Sequence, residues 1–141
     1  MSAESTRTIL ESYAQALLSF GDFARYLTED VTLTIEGTDR VVSGREPVRQ
    51  MITFMHAQAF KTNIQVKRVV YGDGHAMLEA EFVGTHVGAF EGIPATHREV
   101  RVPYAVAYDV DSAGISALRL YFPMDTLMRQ IGATDREAAA V

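Results

Sequence analysis

One carboxylate, two imidazoles and a few cations and hydroxyls carry most of the chemistry open to this chain. Asp125 stands where the apolar run Ile115 to Phe122 gives way to a short helical segment stopped by Gly132. An aspartate delivered by a strand end into an apolar cavity gains a raised pKa and can act as a general base. Asp before Thr126 is equally a good helix cap, so both readings stand. His86 sits in the glycine-rich stretch Gly84 to Pro94, where backbone can approach a ligand closely and an imidazole can work near neutral pH. Its other reading is a structural histidine hydrogen-bonded to its own loop.

Arg119 and Tyr121 alternate with Leu118, Leu120 and Phe122, so the two sets point to opposite faces of a strand. With Arg119 and Tyr121 inward, a cavity gains a cation and a hydroxyl for an oxyanion or a ligand carboxylate. With the apolar set inward, Arg119 goes to solvent, and pattern alone favours that arrangement. Tyr104 and Tyr108 can line a pocket or bury in a core. Glu79 and Glu81 share one strand face and read as its solvated side. His56 reads as a helix-surface or packing residue, His75 as a solvated hairpin residue and His97 as a loop-rim residue. The histidines lack the close spacing of a helical or strand metal pair, so no metal site is expected.

These groups belong to a chain of 141 residues, the size of one domain with a real core. Hydrophobic residues make up 48% and charged ones 22%, as in ordinary globular proteins. A net charge of −5 with no basic run gives no footprint for nucleic acid. There are no cysteines, which excludes disulfides, thiolate catalysis and cysteine-based zinc sites. No basic region followed by an apolar core marks a signal peptide, and no apolar run approaches the roughly 20 residues that span a bilayer. A cytoplasmic protein without membrane contact is expected.

The apolar spacing of Ile9, Leu10, Tyr13, Ala14, Leu17 and Leu18 predicts a helix over 5–20, capped by Ser5 or Thr6. A second short helix follows over 22–27, then a strand over 31–35. Ser43 to Glu46 resembles a capping box, and Val48, Met51, Ile52, Met55 and Ala59 form the stripe of the next helix. Strands over 63–71 and 75–87 meet at Gly72-Asp73-Gly74, a hairpin signal. A long strand over 99–110 and the run 115–122 complete a four-strand meander before the closing helix. Pro103 within a strand pattern marks an edge or a bulge. Residues from Ala133 onward have little to bury and read as a frayed tail. This order predicts an α+β domain: a curved antiparallel sheet forming a cone, with helices packed in its concave face. It is a single domain over 1–141, with an ordered core of about 5–132.

Gly84-Thr85-His86-Val87-Gly88-Ala89-Phe90-Glu91-Gly92-Ile93-Pro94 resembles the GTHxGxFxGIP motif of the SnoaL-like polyketide cyclases and ester cyclases. These form a branch of the nuclear-transport-factor-2-like (cystatin-like) superfamily. The aromatic pair Tyr121-Phe122, the short helix and Gln130-Ile131-Gly132 resemble the family's closing pattern. The resemblance implies proton abstraction next to a carbonyl by an acid/base group in an apolar pocket, without metal or organic cofactor. It puts Asp125 and His86 forward as catalytic residues. It also favours Arg119 and Tyr121 facing the pocket, with Tyr104, as substrate-binding residues. The expected ligand is a small hydrophobic carbonyl compound, and a homodimer through the outer face of the sheet is expected. Where many members carry an Asp directly after the aromatic pair, this chain has Pro123. That departure keeps open a non-catalytic binding or interaction domain of the same fold. Water activation on an epoxide is a third reading, for which only Arg119 and Asp125 are at hand.

Overall fold

The computed structural model describes residues 1–132. Helix α1 (Ala3–Leu18) starts earlier than its apolar spacing suggests, because Ser2 rather than Ser5 or Thr6 caps it. The Ser2 hydroxyl accepts from the Ser5 N–H at 3.1 Å, and the Ser5 hydroxyl accepts from the Ser2 N–H at 2.9 Å. That arrangement satisfies two donors at the helix start. Thr6 is fully buried instead, donating to the Ser2 carbonyl and accepting from the Gly74 N–H. It ties the helix to the hairpin on the far side of the chain.

After a 3₁₀ turn (Phe23–Tyr26) come β1 (Leu27–Ile35), β2 (Val41–Ser43) and α2 (Arg45–Thr53). A single π-helical turn (Phe54–Gln58) then interrupts what the apolar stripe suggests is one helix. The order continues through β3 (Phe60–Thr62), β4 (Gln65–Gly72), β5 (His75–His86), β6 (Glu99–Asp111), β7 (Gly114–Tyr121) and α3 (Met124–Gln130). The expected capping box at Ser43 does not form. Gly44, at φ 97°, takes the N-cap position of α2 without a side-chain cap, and Glu46 pairs with Arg49 instead.

The strands lie in the order β2-β1-β7-β6-β5-β3, with β4 also paired to β5. β4 to β7 form the expected antiparallel meander, while β1 joins β7 in parallel, so the curved sheet is mixed. β2 and β3, three residues each, are too short for a period-two pattern to reveal them.

Alternation along β6 divides inside from outside. Val100, Val102, Val106, Tyr108 and Val110 are buried in the concavity. They split between two apolar clusters. One gathers Leu10, Tyr13, Phe23, Val31, Val48, Ile52, Tyr108, Ile115 and Leu118 beneath α1 and α2. The other packs Phe60, Phe82, Phe90, Ile93, Leu127 and Ile131 beneath α3 and the glycine-rich loop. Fully buried side chains such as Leu27, Val48, Phe60 and Leu127 each contribute about 1.5–3 kcal/mol by burial.

β7 stops pairing with β6 at Tyr121 opposite Ala105, so Pro103 lies where β6 has a neighbour on one side only. Two residues earlier, α3 covers this bare edge. The Gln130 side chain accepts from the Arg101 N–H at 2.7 Å and donates to the Arg101 carbonyl at 2.9 Å. One carboxamide thus takes the place of a strand residue. The expected frayed tail lies outside the described residues.

Candidate functional site

Leu118 is buried in the concave core, with Leu120 packed against it, so Arg119 and Tyr121 take the outer face. Arg119 grips Asp109 through both Nη atoms at 2.9 and 3.0 Å, and this pairing holds the Asp109 carboxyl below its usual range. Tyr121 is 47% exposed. The expectation that these two face the cavity is corrected: three apolar side chains claim the concavity, as the alternation itself favours. Asp125 does not cap α3, since Pro123 occupies the N-cap position. Its side chain is 77% exposed and meets Arg129 at 3.4 Å one helical turn on. Tyr104 lies on the concave face against both apolar clusters, its ring 6.4 Å from Phe82 and 5.5 Å from Phe122. Burial pushes its phenol up to about 12, so the hydroxyl remains a donor at any ordinary pH.

His86 is fully buried. The Thr96 N–H donates to its Nδ1 at 3.1 Å, and the Thr96 hydroxyl lies 2.9 Å from the same atom. With Nδ1 an acceptor, the ring carries its proton on Nε2, a buried donor that lacks a well-formed hydrogen bond. Its ring lies tilted on Phe60 at 5.3 Å. Burial lowers its pKa, opposed by the Gly88 backbone and reinforced by His97. His86 therefore organises the loop that bears it and is sealed from solvent.

A different histidine reaches open space. A cavity of about 360 Å³ lies between the end of α1, the 3₁₀ turn and the α2–π segment. Leu17, Phe20, Phe23 and Ala24, with Asp22 among them, form one side, and Arg49, Thr53 and His56 the other. Its volume falls within the range of small-molecule sites. A recess of about 80 Å³ adjoins it, again walled by Leu17, Phe20 and His56. Arg49, Thr53 and His56 stand at i, i+4 and i+7, which puts them on one helical side. The His56 Nδ1–H donates to the Ile52 carbonyl at 2.8 Å, leaving Nε2 the lone-pair nitrogen. Burial lowers its pKa, so the ring is neutral at pH 7. Its ring lies near-perpendicular to Phe82 at 6.2 Å between centroids, which makes Phe82 the shared neighbour of His56 and Tyr104. Chemically, the lining offers a neutral base, a guanidinium and a hydroxyl on the helical side, facing an apolar surface that also carries the Asp22 carboxyl group.

The π-turn that presents His56 depends on the glycine-rich loop. Val87 N–H and Gly88 N–H both donate to the Ala59 carbonyl, at 2.9 and 3.0 Å. A methyl group at Gly88 would run into the Gln58 carbonyl, so only glycine lets the loop lie this close.

Sequence reasoning passed over His56 because its apolar neighbours suggested packing. The spacing of Arg49, Thr53 and His56 was the available signal. The turn of π-helix, which re-aims the histidine, leaves no trace in residue type. Among the described residues, no cluster of His, Asp and Glu has the arrangement of a metal site.

A family model described as SnoaL-like polyketide cyclase matches residues 8–131. The chain belongs to this family. Solved structures agree on the SnoaL-like fold. A proposed polyketide cyclase from Xanthomonas campestris superposes with a TM-score of 0.82 at 16% identity, covering 94% of this chain and 100% of its own. Another from Silicibacter gives 0.80 at 18%, covering 92% and 97%. TsrD from Streptomyces laurentii gives 0.75 at 21%, covering 94% and 98%. No functionally curated protein matches this SnoaL-like chain in sequence. No helix among its described residues is long and apolar enough to cross a membrane.

Proposed function

We propose that this SnoaL-like protein is a small-molecule enzyme that abstracts a proton next to a carbonyl, with His56 as the base. The observation that carries the reading is the ring of His56, which lines a 360 Å³ cavity and is pinned through Nδ1 to the Ile52 carbonyl, so that Nε2 is its lone-pair nitrogen. A carbonyl compound seated against Leu17 and Phe23 would present its α-carbon proton to Nε2. The electron pair left on carbon delocalises onto the carbonyl oxygen, and the Arg49 guanidinium and Thr53 hydroxyl are at hand on the same wall to hold that charge. The imidazolium then returns the proton to a different carbon, giving an isomer, or to a ring-closed product. Arg49 is itself paired with Glu46, Nε to Oε2 at 2.8 Å, which keeps it charged and oriented.

The test follows deuterium uptake at the acidic carbon of 2-tetralone in heavy water by NMR. The wild type is expected to exceed buffer by about 100-fold, with His56→Gln falling near the buffer rate. Equal rates for the two proteins would remove His56 from the chemistry. A second reading, binding without turnover, is favoured by Pro123 and by the outward Asp125, which leave the strand β7 end without an inward carboxylate. It predicts that 2-tetralone binds while exchange stays at the buffer rate.

A further inference from the structure

Helix α1 ends in a Schellman motif: the Gly21 N–H donates to the Ala16 carbonyl at 2.7 Å and the Phe20 N–H to the Leu17 carbonyl at 3.1 Å. The residue after the C-cap in this motif adopts the left-handed conformation and is usually glycine, sometimes asparagine. Here it is Phe20, at φ 58°. A bulky side chain in that region is strained, and residues held in such conformations cluster at ligand and active sites.

Packing does not explain the choice. Phe20 is 63% exposed, whereas the other phenylalanines are buried or half-buried. Phe23, Phe54, Phe60, Phe82, Phe90 and Phe122 each meet another aromatic ring, and among the described residues Phe20 meets none. What Phe20 does touch is space: it walls both the 360 Å³ cavity and the adjoining 80 Å³ recess, and shares both with His56.

We infer that Phe20 is a specificity-determining residue of the His56 cavity, its ring being the flat face against which a neutral aromatic carbonyl compound stacks. The inference rests on the reading of that cavity as a ligand site. The strained turn sets the ring at the boundary of the two spaces, where a planar ligand filling the larger one meets it. Offset stacking favours a flat aromatic partner over an aliphatic ring. The opposite wall supplies the polar contacts to the carbonyl. Phe20 takes no part in the proton transfer.

The experiment measures dissociation constants of 2-tetralone and cyclohexanone by ligand-observed NMR, beside thermal unfolding, for the wild type, Phe20→Gly and Phe20→Asn. Both replacements accept the left-handed conformation. The expected result is a melting temperature raised by about 3 °C in Phe20→Gly, as strain is relieved. Alongside it, 2-tetralone binding weakens about 10-fold, and cyclohexanone binding weakens less. Asparagine should show the same loss of selectivity. A glycine variant that binds 2-tetralone as tightly as the wild type overturns the inference. So does a glycine variant that melts lower, since Phe20 would then be part of the fold. Failure of the proton-transfer reading looks different: 2-tetralone binds with Phe20-dependent affinity while deuterium uptake stays at the buffer rate.

Discussion

His56 and His86 are the same residue in opposite situations. Each has Nδ1 engaged by its own neighbourhood, His56 by the Ile52 carbonyl and His86 by Thr96. Each has its pKa lowered first of all by burial. They differ in what surrounds the ring: His86 is enclosed by protein beside the Gly88 backbone, and His56 lines a cavity. The conspicuous motif holds the enclosed histidine, and the helical segment after β2 holds the one that lines a cavity. The two regions are still coupled, because the loop of His86 hydrogen-bonds Ala59, just past the π-turn of His56. A motif can serve a site by supporting its backbone without entering it.

The largest effect should come where the two regions touch. Gly88→Ala forces the loop off the Gln58 carbonyl and should cost about 3 kcal/mol in denaturant unfolding. It should also reduce 2-tetralone exchange, whereas retained stability with normal exchange would uncouple the regions. His86→Ala removes a fully buried ring from Phe60 and Thr96 and should cost about 2 kcal/mol. His56→Gln should cost under about 1 kcal/mol yet abolish exchange; stability effects of equal size in both histidine variants would break the contrast.

Acid titration sharpens it further. Both folded-state pKa values lie below the ordinary 6.5, so the unfolded chain binds more protons than the folded one beneath that pH. The stabilisation is complete above pH 6.5 and is lost as pH falls toward the folded-state values. Each histidine-to-glutamine variant should flatten that limb of the stability curve, and only the wild type and His86→Gln should show exchange that fades on acidification. Smallest of all, Asp125→Asn should shift the melting temperature by no more than about 1 °C and leave exchange intact, because its partner Arg129 is a solvent-exposed neighbour on the same helix.

The cone was legible because its signals are periodic. Alternation in β6 and β7, the Gly72-Asp73-Gly74 turn and the stripes of α1 and α2 all repeat the period of the structure they form. The same alternation oriented β7 with its apolar set inward, and family analogy drew the reading away from it. Caps were less legible: Ser2, Gly44 and Pro123 each hold a place that a neighbouring Ser or Asp seemed to claim, since backbone geometry chooses among adjacent candidates. The site was least legible. Its residues come from two stretches, 17–24 and 49–57, that meet only in space, and its defining element is one extra residue in a helical turn.

The Gln130 clasp on Arg101 has a use at the bench. The Arg101 amide proton sits in a strand, yet its bond belongs to a side chain from α3 rather than to a neighbouring strand. Lifting α3 would free that proton while the ladder between β5 and β6 stays closed. Exchange of this single amide, followed beside that of the Val102 and Phe82 amides, therefore reads out the docking of α3 separately from opening of the sheet. The protein carries its own indicator of whether the lid over its aromatic cluster is shut.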